Sequence, residues 1–194
     1  SMDNLRLSVM PDAVVRPADE VELKEMLRLA NKYGVPVTTR GGGSAATGAT
    51  TPLHGGWVLD LSHWQSIDID TTLGLAKVHP GVRTAALQRA AEAEGLFYPP
   101  DPSSAEFCTI GGNIATNAGG LRAAKYGTTR DYVVALRGFL PTGEPVRWGA
   151  PLKKCATGFN LRDLWIGSEG MLGIITEATL KLIPKPKARY TFLV

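Results

Sequence analysis

The chain has 194 residues, 44% apolar and 20% charged, with a formal net charge of +3. That length supports one large domain or two small subdomains with real cores. The charge excess gathers only at Lys153-Lys154 and at Lys181, Lys185 and Lys187, with no basic stripe for a nucleic acid, and no apolar run approaches the ~18 residues of a membrane span.

Ala13-Val14-Val15-Arg16 reads as a short strand ended by Pro17. Asp19 is placed to N-cap a helix, with Glu22 at the capping-box position. Val21, Met26, Leu27, Leu29, Ala30 and Tyr33 fall mostly on one broad face. Gly34 suits the helix terminus, and Pro36 prevents continuation. Val35 to Thr39 is a second strand, so the unit is strand–helix–strand, which favours a parallel pair with a right-handed crossover. Trp57 to Leu61 is a third strand. Ile67 to Asp70 and Leu75 to Val78 alternate about a Thr-Thr-Leu-Gly turn and read as a hairpin. Thr84 to Glu94 is an alanine-rich helix closed by Gly95. Tyr98 to Ser104, with three prolines, is an extended loop. Tyr132 to Leu140 and Glu144 to Trp148 form a second hairpin, residues from Asn160 or Leu161 to Ile166 a short helix, and Gly173 to Ile183 a long final strand. The expected fold class is α+β, two subdomains with mixed sheets and flanking helices. One lobe spans about residues 11–80, the other about 81–190, and a ligand lies between them.

Two glycine-rich blocks stand out: Arg40-Gly41-Gly42-Gly43-Ser44-Ala45-Ala46-Thr47-Gly48, and Thr109-Ile110-Gly111-Gly112-Asn113-Ile114-Ala115-Thr116-Asn117-Ala118-Gly119-Gly120. Such runs let backbone N–H groups converge on an anion, because no Cβ blocks the approach. Two of them suggest a ligand with an extended phosphate region, such as a dinucleotide. A Walker loop needs Lys after its last glycine, whereas Ala49 follows Gly48. A Rossmann fingerprint fits Gly41-x-Gly43-x-x-Ala46, with Asp60 near the ribose-binding position, but it must open a helix. Gly48, Pro52, Gly55 and Gly56 leave no room for one. A non-helical loop wrapping a pyrophosphate and a surface loop are the other readings of the first block. In the second, Ile110 and Ile114 would anchor to a core while Asn113, Thr116 and Asn117 offer side-chain hydrogen bonds. His54, His63 and His79 lack partners at metal-ligand spacing, so no metal is expected. Cys108 and Cys155 form no CxxC and imply no disulfide framework. Cys108 reads as a small buried group.

In order along the chain, these blocks resemble the FAD-binding (PCMH-type) domain of the vanillyl-alcohol oxidase and p-cresol methylhydroxylase superfamily. The likeness is to the branch with glycolate oxidase large subunits and D-lactate dehydrogenases. It runs from Pro11 to Pro184 and is carried by Arg40 to Ser44, Pro100 to Ser104, Cys108 to Gly120 and Gly167 to Thr176, with Lys125-Tyr126-Gly127-Thr128-Thr129-Arg130-Asp131-Tyr132 adding to it. The resemblance implies FAD and assigns residues to it. Gly41, Gly42, Gly43, Ser44 and Ala45, after Arg40 and with Thr47 and Gly48, resemble the pyrophosphate loop. Pro80, Gly81 and Val82 are similar to a turn on the adenine side. Pro102, Ser103, Ser104, Thr109, Gly111, Gly112, Asn113, Ala115 and Thr116 would run along the phosphates, ribityl chain and flavin. Gly119 and Gly120 would let backbone approach closely. Glu169, Gly170, Gly173, Ile174 and Ile175 would close over the adenosine half.

The same resemblance implies oxidation of a D-2-hydroxy acid of the glycolate or D-lactate type, by hydride transfer to flavin N5. Members with covalent flavin at the first loop use a histidine where this chain has Ser44, so non-covalent FAD is expected. The family's substrate-binding domain would follow Val194, in the same protein or in a partner subunit. It would carry the carboxylate-binding and proton-accepting groups, so no catalytic residue is nominated within the chain. The alternative reading is a non-catalytic flavin-binding or electron-transfer subunit that needs a partner. The expected location is cytoplasmic, peripheral to a membrane only through partners.

Overall fold

The structure is a computed structural model and describes residues 8–152 and 158–188. Cys155 and the Lys153-Lys154 pair lie outside them. Strands β1 (Ala13–Val15), β2 (Val37–Arg40) and β3 (Trp57–Asp60) form a three-stranded sheet in the order β1-β3-β2. Both outer strands run parallel to β3. The two strands that flank the first helix are therefore parallel but not neighbours, because β3 lies between them.

Helix α1 (Glu20–Tyr33) forms where its ends are satisfied. Asp19 Oδ1 accepts from the N–H groups of Val21 and Glu22, both at 2.9 Å. Glu22 reaches back to the N–H of Ala18, one residue before the cap. Gly34 ends the helix in the left-handed region at φ 64°. The helix buries Leu23, Leu27 and Ala30, a narrower stripe than the broad face expected. Val21, Leu29 and Tyr33 are exposed.

The hairpin of β4 (Ile67–Asp70) and β5 (Leu75–Val78) does not stay with the first lobe. It joins β7 (Val133–Phe139), β8 (Pro145–Gly149) and β9 (Ile174–Lys181) in a five-stranded antiparallel sheet, in the order β4-β5-β9-β7-β8. The sheet change thus falls before Ile67 rather than near residue 80. β5 pairs with β9 from Leu75↔Lys181 to Val78↔Ala178, and this long-range ladder draws the hairpin across. Parallel and antiparallel pairings segregate into separate sheets instead of mixing within one.

Helix α2 (Thr84–Ala93) packs Ala85, Leu87 and Ala91 into the core. Two short strands escape sequence reading: β6 (Leu96–Phe97) pairs with β10 (Ile183–Pro184), which is split from β9 at Leu182. Inside the second glycine block, Ile110–Thr116 forms a helix, α3, capped by Thr109. Ile110 and Ile114, one turn apart, are completely buried and outweigh the helix-weakening glycines. A four-residue helix α4 (Ala123–Tyr126) and a 3₁₀ turn (Thr129–Asp131) follow, and α5 (Arg162–Trp165) lies where a short helix was expected.

Two cores result. One joins α2, α3 and the five-stranded sheet around Leu87, Tyr98, Ile110, Ile114, Leu136 and Leu180. The other joins α1 to the parallel sheet through Leu23, Leu27, Leu59 and Leu61, and takes in Phe139 and Ile174 from β7 and β9.

Candidate cofactor site

A cavity of about 250 Å³ opens where the loops meet. Its walls come from three stretches far apart in sequence: the loop after β2, the start of α3 with the loop before it, and the loop between α5 and β9. The C-terminal ends of parallel β2 and β3 deliver Arg40 and Leu61 to it. Ligands of parallel sheets commonly sit outside the carboxyl ends of the strands.

The first loop supplies donors. Among the described residues, the backbone N–H groups of Gly42, Gly43, Ser44 and Ala45 have no hydrogen-bond acceptor. Gly43 takes φ 65°, and a Cβ there would lie 2.5 Å from the Arg40 guanidinium, which folds beneath the loop. Arg40 has no ion-pair partner among the described residues. Backbone donors and an unpaired cation on one wall make an anion-binding surface. No helix follows this loop, and Asp60 is engaged by Arg16 at 2.6 Å, so the Rossmann reading fails on both counts.

The second wall is the first turn of α3. Thr109 Oγ1 accepts from the Gly112 N–H at 3.4 Å, and the Gly111 N–H donates to Pro80 O at 2.9 Å. A Cβ at Gly112 would meet only Thr109 Oγ1, at 3.4 Å; the rest of its space is open. Side chains expected to offer hydrogen bonds are engaged within the protein. Buried Asn113 donates from Nδ2 to Thr84 Oγ1 at 2.6 Å, and that hydroxyl is 3.1 Å from Cys108 Sγ. Thr116 donates to Gly112 O, and Asn117 Oδ1 accepts from Thr128 and Arg130.

The third wall closes over the first. Thr47 Oγ1 donates to Glu169 Oε2 at 3.1 Å, joining residues 122 apart in sequence. Glu169 itself sits at φ 53°. The N–H groups of Gly167 and Glu169 donate to Ile114 O and Ala115 O, so this loop rests on the end of α3.

The cavity brings together Arg40, Gly41, Gly42, Gly43, Ser44, Ala45, Thr47, Pro80, Pro102 and Ser104. It also brings in Thr109, Gly111, Gly112, Asn113, Ala115, Thr116, Glu169, Gly170, Gly173 and Ile175. Other expected residues do not line it. Gly48 is half-buried and Ser103 exposed, both outside the lining. Gly81 packs its backbone against the Leu61 carbonyl, Val82 is core, and Ile174 fills the core beneath α1. Gly119 faces Ala123 and Thr128, while the close approach at Gly120 is to the Asp101 carbonyl, within the protein. Sequence reading missed Thr39, Ala46, Ala49, Thr50, Leu61, Ala118, Trp165 and Ser168. Ala46, Ala49 and Thr50 continue the first loop, and Thr39 and Leu61 flank strand ends, which was the available signal. Trp165 and Ser168 arrive only through the packing of the third loop.

The buried Thr50 Oγ1 has no hydrogen-bond partner among the described residues. A buried hydroxyl left so costs ~1–3 kcal/mol, and a polar ligand atom in this cavity would satisfy it. With the open space at Gly112 and the donors of the first loop, the lining fits a phosphate-bearing cofactor. Among the described residues, three groups have displaced pKa values, and none lines the cavity. Burial raises Asp60, but hydrogen bonds from Ser62 and the Arg16 guanidinium outweigh it and hold the carboxyl below its usual value. Burial pushes the phenols of Tyr98 and Tyr132 up. No helix among the described residues is long and apolar enough to cross a membrane.

Comparison with known proteins agrees with this geometry. The chain is 48% identical over 185 residues to glycolate oxidase subunit GlcD of Bacillus subtilis (strain 168), covering 95% of the chain and 39% of that protein. It is 43% identical to D-lactate dehydrogenase of Anaerostipes hadrus, with the same coverage. The chain thus spans about two fifths of these relatives. Among solved structures, alkyldihydroxyacetonephosphate synthase superposes with a TM-score of 0.78 at 32% identity, over 90% of this chain and 32% of that one. The fold is also shared with 6-hydroxy-D-nicotine oxidase of Arthrobacter nicotinovorans, with a TM-score of 0.79 at 22% identity, over 93% of this chain and 38% of that one. The FAD binding domain family matches residues 11–149. Residues of that matched span form two of the three cavity walls, and the chain belongs to the FAD binding domain family.

Proposed function

We propose that this chain is the FAD-holding part of a flavin-dependent oxidoreductase that acts on a D-2-hydroxy acid of the glycolate or D-lactate type. The observation that carries the cofactor reading is the convergence of three loops on one cavity, with free backbone donors and the Arg40 cation on one wall. The substrate class is supported by what the relatives are named for, including a D-2-hydroxyglutarate dehydrogenase of Stutzerimonas stutzeri (strain A1501), 38% identical over 91% of the chain.

Gly42, Gly43, Ser44 and Ala45 would hold the diphosphate through their N–H groups, and Arg40 would offset its charge. The Thr50 hydroxyl would accept or donate one hydrogen bond. Gly112 keeps the α3 wall low enough for the cofactor to pass. Leu61, Pro80 and Ile175 supply apolar contact and exclude water from it. Ser44 has no ring nitrogen with which to form a histidyl link, so binding is non-covalent. When bound, the flavin supplies the two-electron acceptor for the oxidation.

Titration of the folded protein with FAD by calorimetry, followed by acid precipitation, tests the cofactor reading. Saturable binding with all yellow colour released to the supernatant is expected. Absence of binding, or colour retained in the pellet, contradicts it. For the substrate class, anaerobic mixing of the full-length gene product with glycolate, D-lactate or D-2-hydroxyglutarate should bleach the flavin band. No bleaching by any of them rejects the D-2-hydroxy acid assignment.

A further inference from the structure

Residues 125–132 carry part of the family resemblance, yet none of them lines the cavity. One side chain among them is nevertheless bound to its wall. Arg130 donates from Nη1 to Asp163 O at 2.9 Å and from Nη2 to Ile166 O at 2.6 Å. Its Nη1 also lies 3.6 Å from Asp163 Oδ1. The Arg130 backbone N–H donates to Asn117 Oδ1 at 3.0 Å, and Asn117 is the left-handed residue that ends α3, at φ 48°.

These contacts surround one junction. Gly167 follows Ile166 at φ 88°, and a Cβ on it would lie 3.6 Å from Arg130 Nη2 and 3.7 Å from Asn117 Cβ. Its N–H donates to Ile114 O at 2.9 Å, and that of Glu169 donates to Ala115 O at 2.8 Å. Both bonds seat the third cavity wall on the end of α3. A four-residue helix such as α5 leaves its last carbonyls without partners of its own. The planar guanidinium serves two of these carbonyls at once, which a lysine ammonium on a flexible stem does not reproduce. The Arg130 side chain is 38% exposed and belongs to neither core. Its loss therefore frees the wall without dissolving the sheets.

We infer that Arg130 is a positioning residue of the cofactor site. It fixes the segment from Ile166 to Gly170 against α3 and so governs FAD affinity without touching FAD. This rests on the FAD reading above. The test compares wild type with Arg130→Lys and Arg130→Ala, by FAD titration and residue-resolved amide hydrogen exchange. Arg130→Ala should raise the Kd about tenfold or more and Arg130→Lys severalfold. The Gly167 and Glu169 amides should lose protection while those of β7 and β9 keep it. Should Arg130→Ala not fold, Arg130→Lys, which keeps the charge and loses the fork, carries the same comparison. A wild type that binds no FAD overturns both readings. A wild type that binds, with the folded variants within about threefold of it, overturns the positioning role alone. So does loss of protection spread evenly through β7 and β9.

Discussion

Gly112 and Gly42 line the same cavity for opposite reasons. A Cβ on Gly112 would enter open space, whereas one on Gly42 would collide with the Phe107 carbonyl oxygen and stand 3.0 Å from Cys108 Cα. Gly112→Val should therefore abolish FAD binding while the apo protein keeps its thermal midpoint, since valine is a better helix residue than glycine. Binding that survives within about threefold, under roughly 0.7 kcal/mol, would show the cofactor lies elsewhere. Gly42→Ala should instead lower stability by about 1–3 kcal/mol, because backbone atoms must shift to admit the methyl group. Denaturant unfolding of the two apo variants separates these outcomes. The glycines of both blocks were legible in the sequence, and residues of both line one cavity. Which glycine faces a ligand and which faces protein was not, because that depends on Phe107 and Asp101, neighbours brought in by folding.

Among elements, α1 and the parallel sheet show how much local chemistry specifies. The Asp19 cap, the Gly34 stop and the strand pattern all appear where the sequence places them. The hidden part is the join to β1. Arg16 leaves the end of that strand and meets Asp60 at the end of β3, 2.6 Å away and 44 residues on. Asp60 is held below its ordinary value of 3.8. A lowered folded-state pKa means that the carboxylate contributes stability above the unfolded value and that this is lost as pH falls through the folded value. Hydrogen bonds from Ser62 are the larger lowering cause and remain in the variant. Arg16→Gln should thus only partly flatten the pH dependence of stability below about pH 4 and leave the neutral-to-alkaline side parallel to wild type. Urea midpoints measured across that range check it; a variant with an unchanged acid limb would reject the assignment. Helix α3 is the opposite case. Its two glycines hide it from propensity, and it exists because Ile110 and Ile114 are buried on one side.

At the scale of the whole molecule, the two cores are stitched by α1 as well as by Phe139 and Ile174. Glu20 accepts from Arg137 of β7 at 3.0 Å and from Thr176 of β9 at 2.7 Å. The ion pair is partly exposed, so its own contribution is small. The Thr176 hydroxyl, on a residue only 1% exposed, would be left unpaired without Glu20. Glu20→Ala should then cost about 1 kcal/mol, a few degrees in Tm, and Glu20→Gln less, as its amide oxygen still accepts. Calorimetric melts of both variants measure this, and equal losses would place the effect in the charge instead.

The sequence alone determined the glycine-rich character of the loops, the order of most elements and, through resemblance, the cofactor class. These follow from backbone freedom, capping and side-chain period, which act over a few residues. Tertiary structure decided three other things. It moved the β4–β5 hairpin into the larger sheet, because β9 offers that hairpin an unbroken antiparallel ladder from Leu75 to Val78. It seated the Gly167 to Gly170 loop on α3 through main-chain hydrogen bonds that carry no residue signature. It also turned Gly81, Val82 and Ile174 inward, away from the cavity, and set Gly120 against the Asp101 carbonyl. In each case the deciding partner lies far along the chain, and pairing over such distances is set by packing of the whole fold rather than by local propensity.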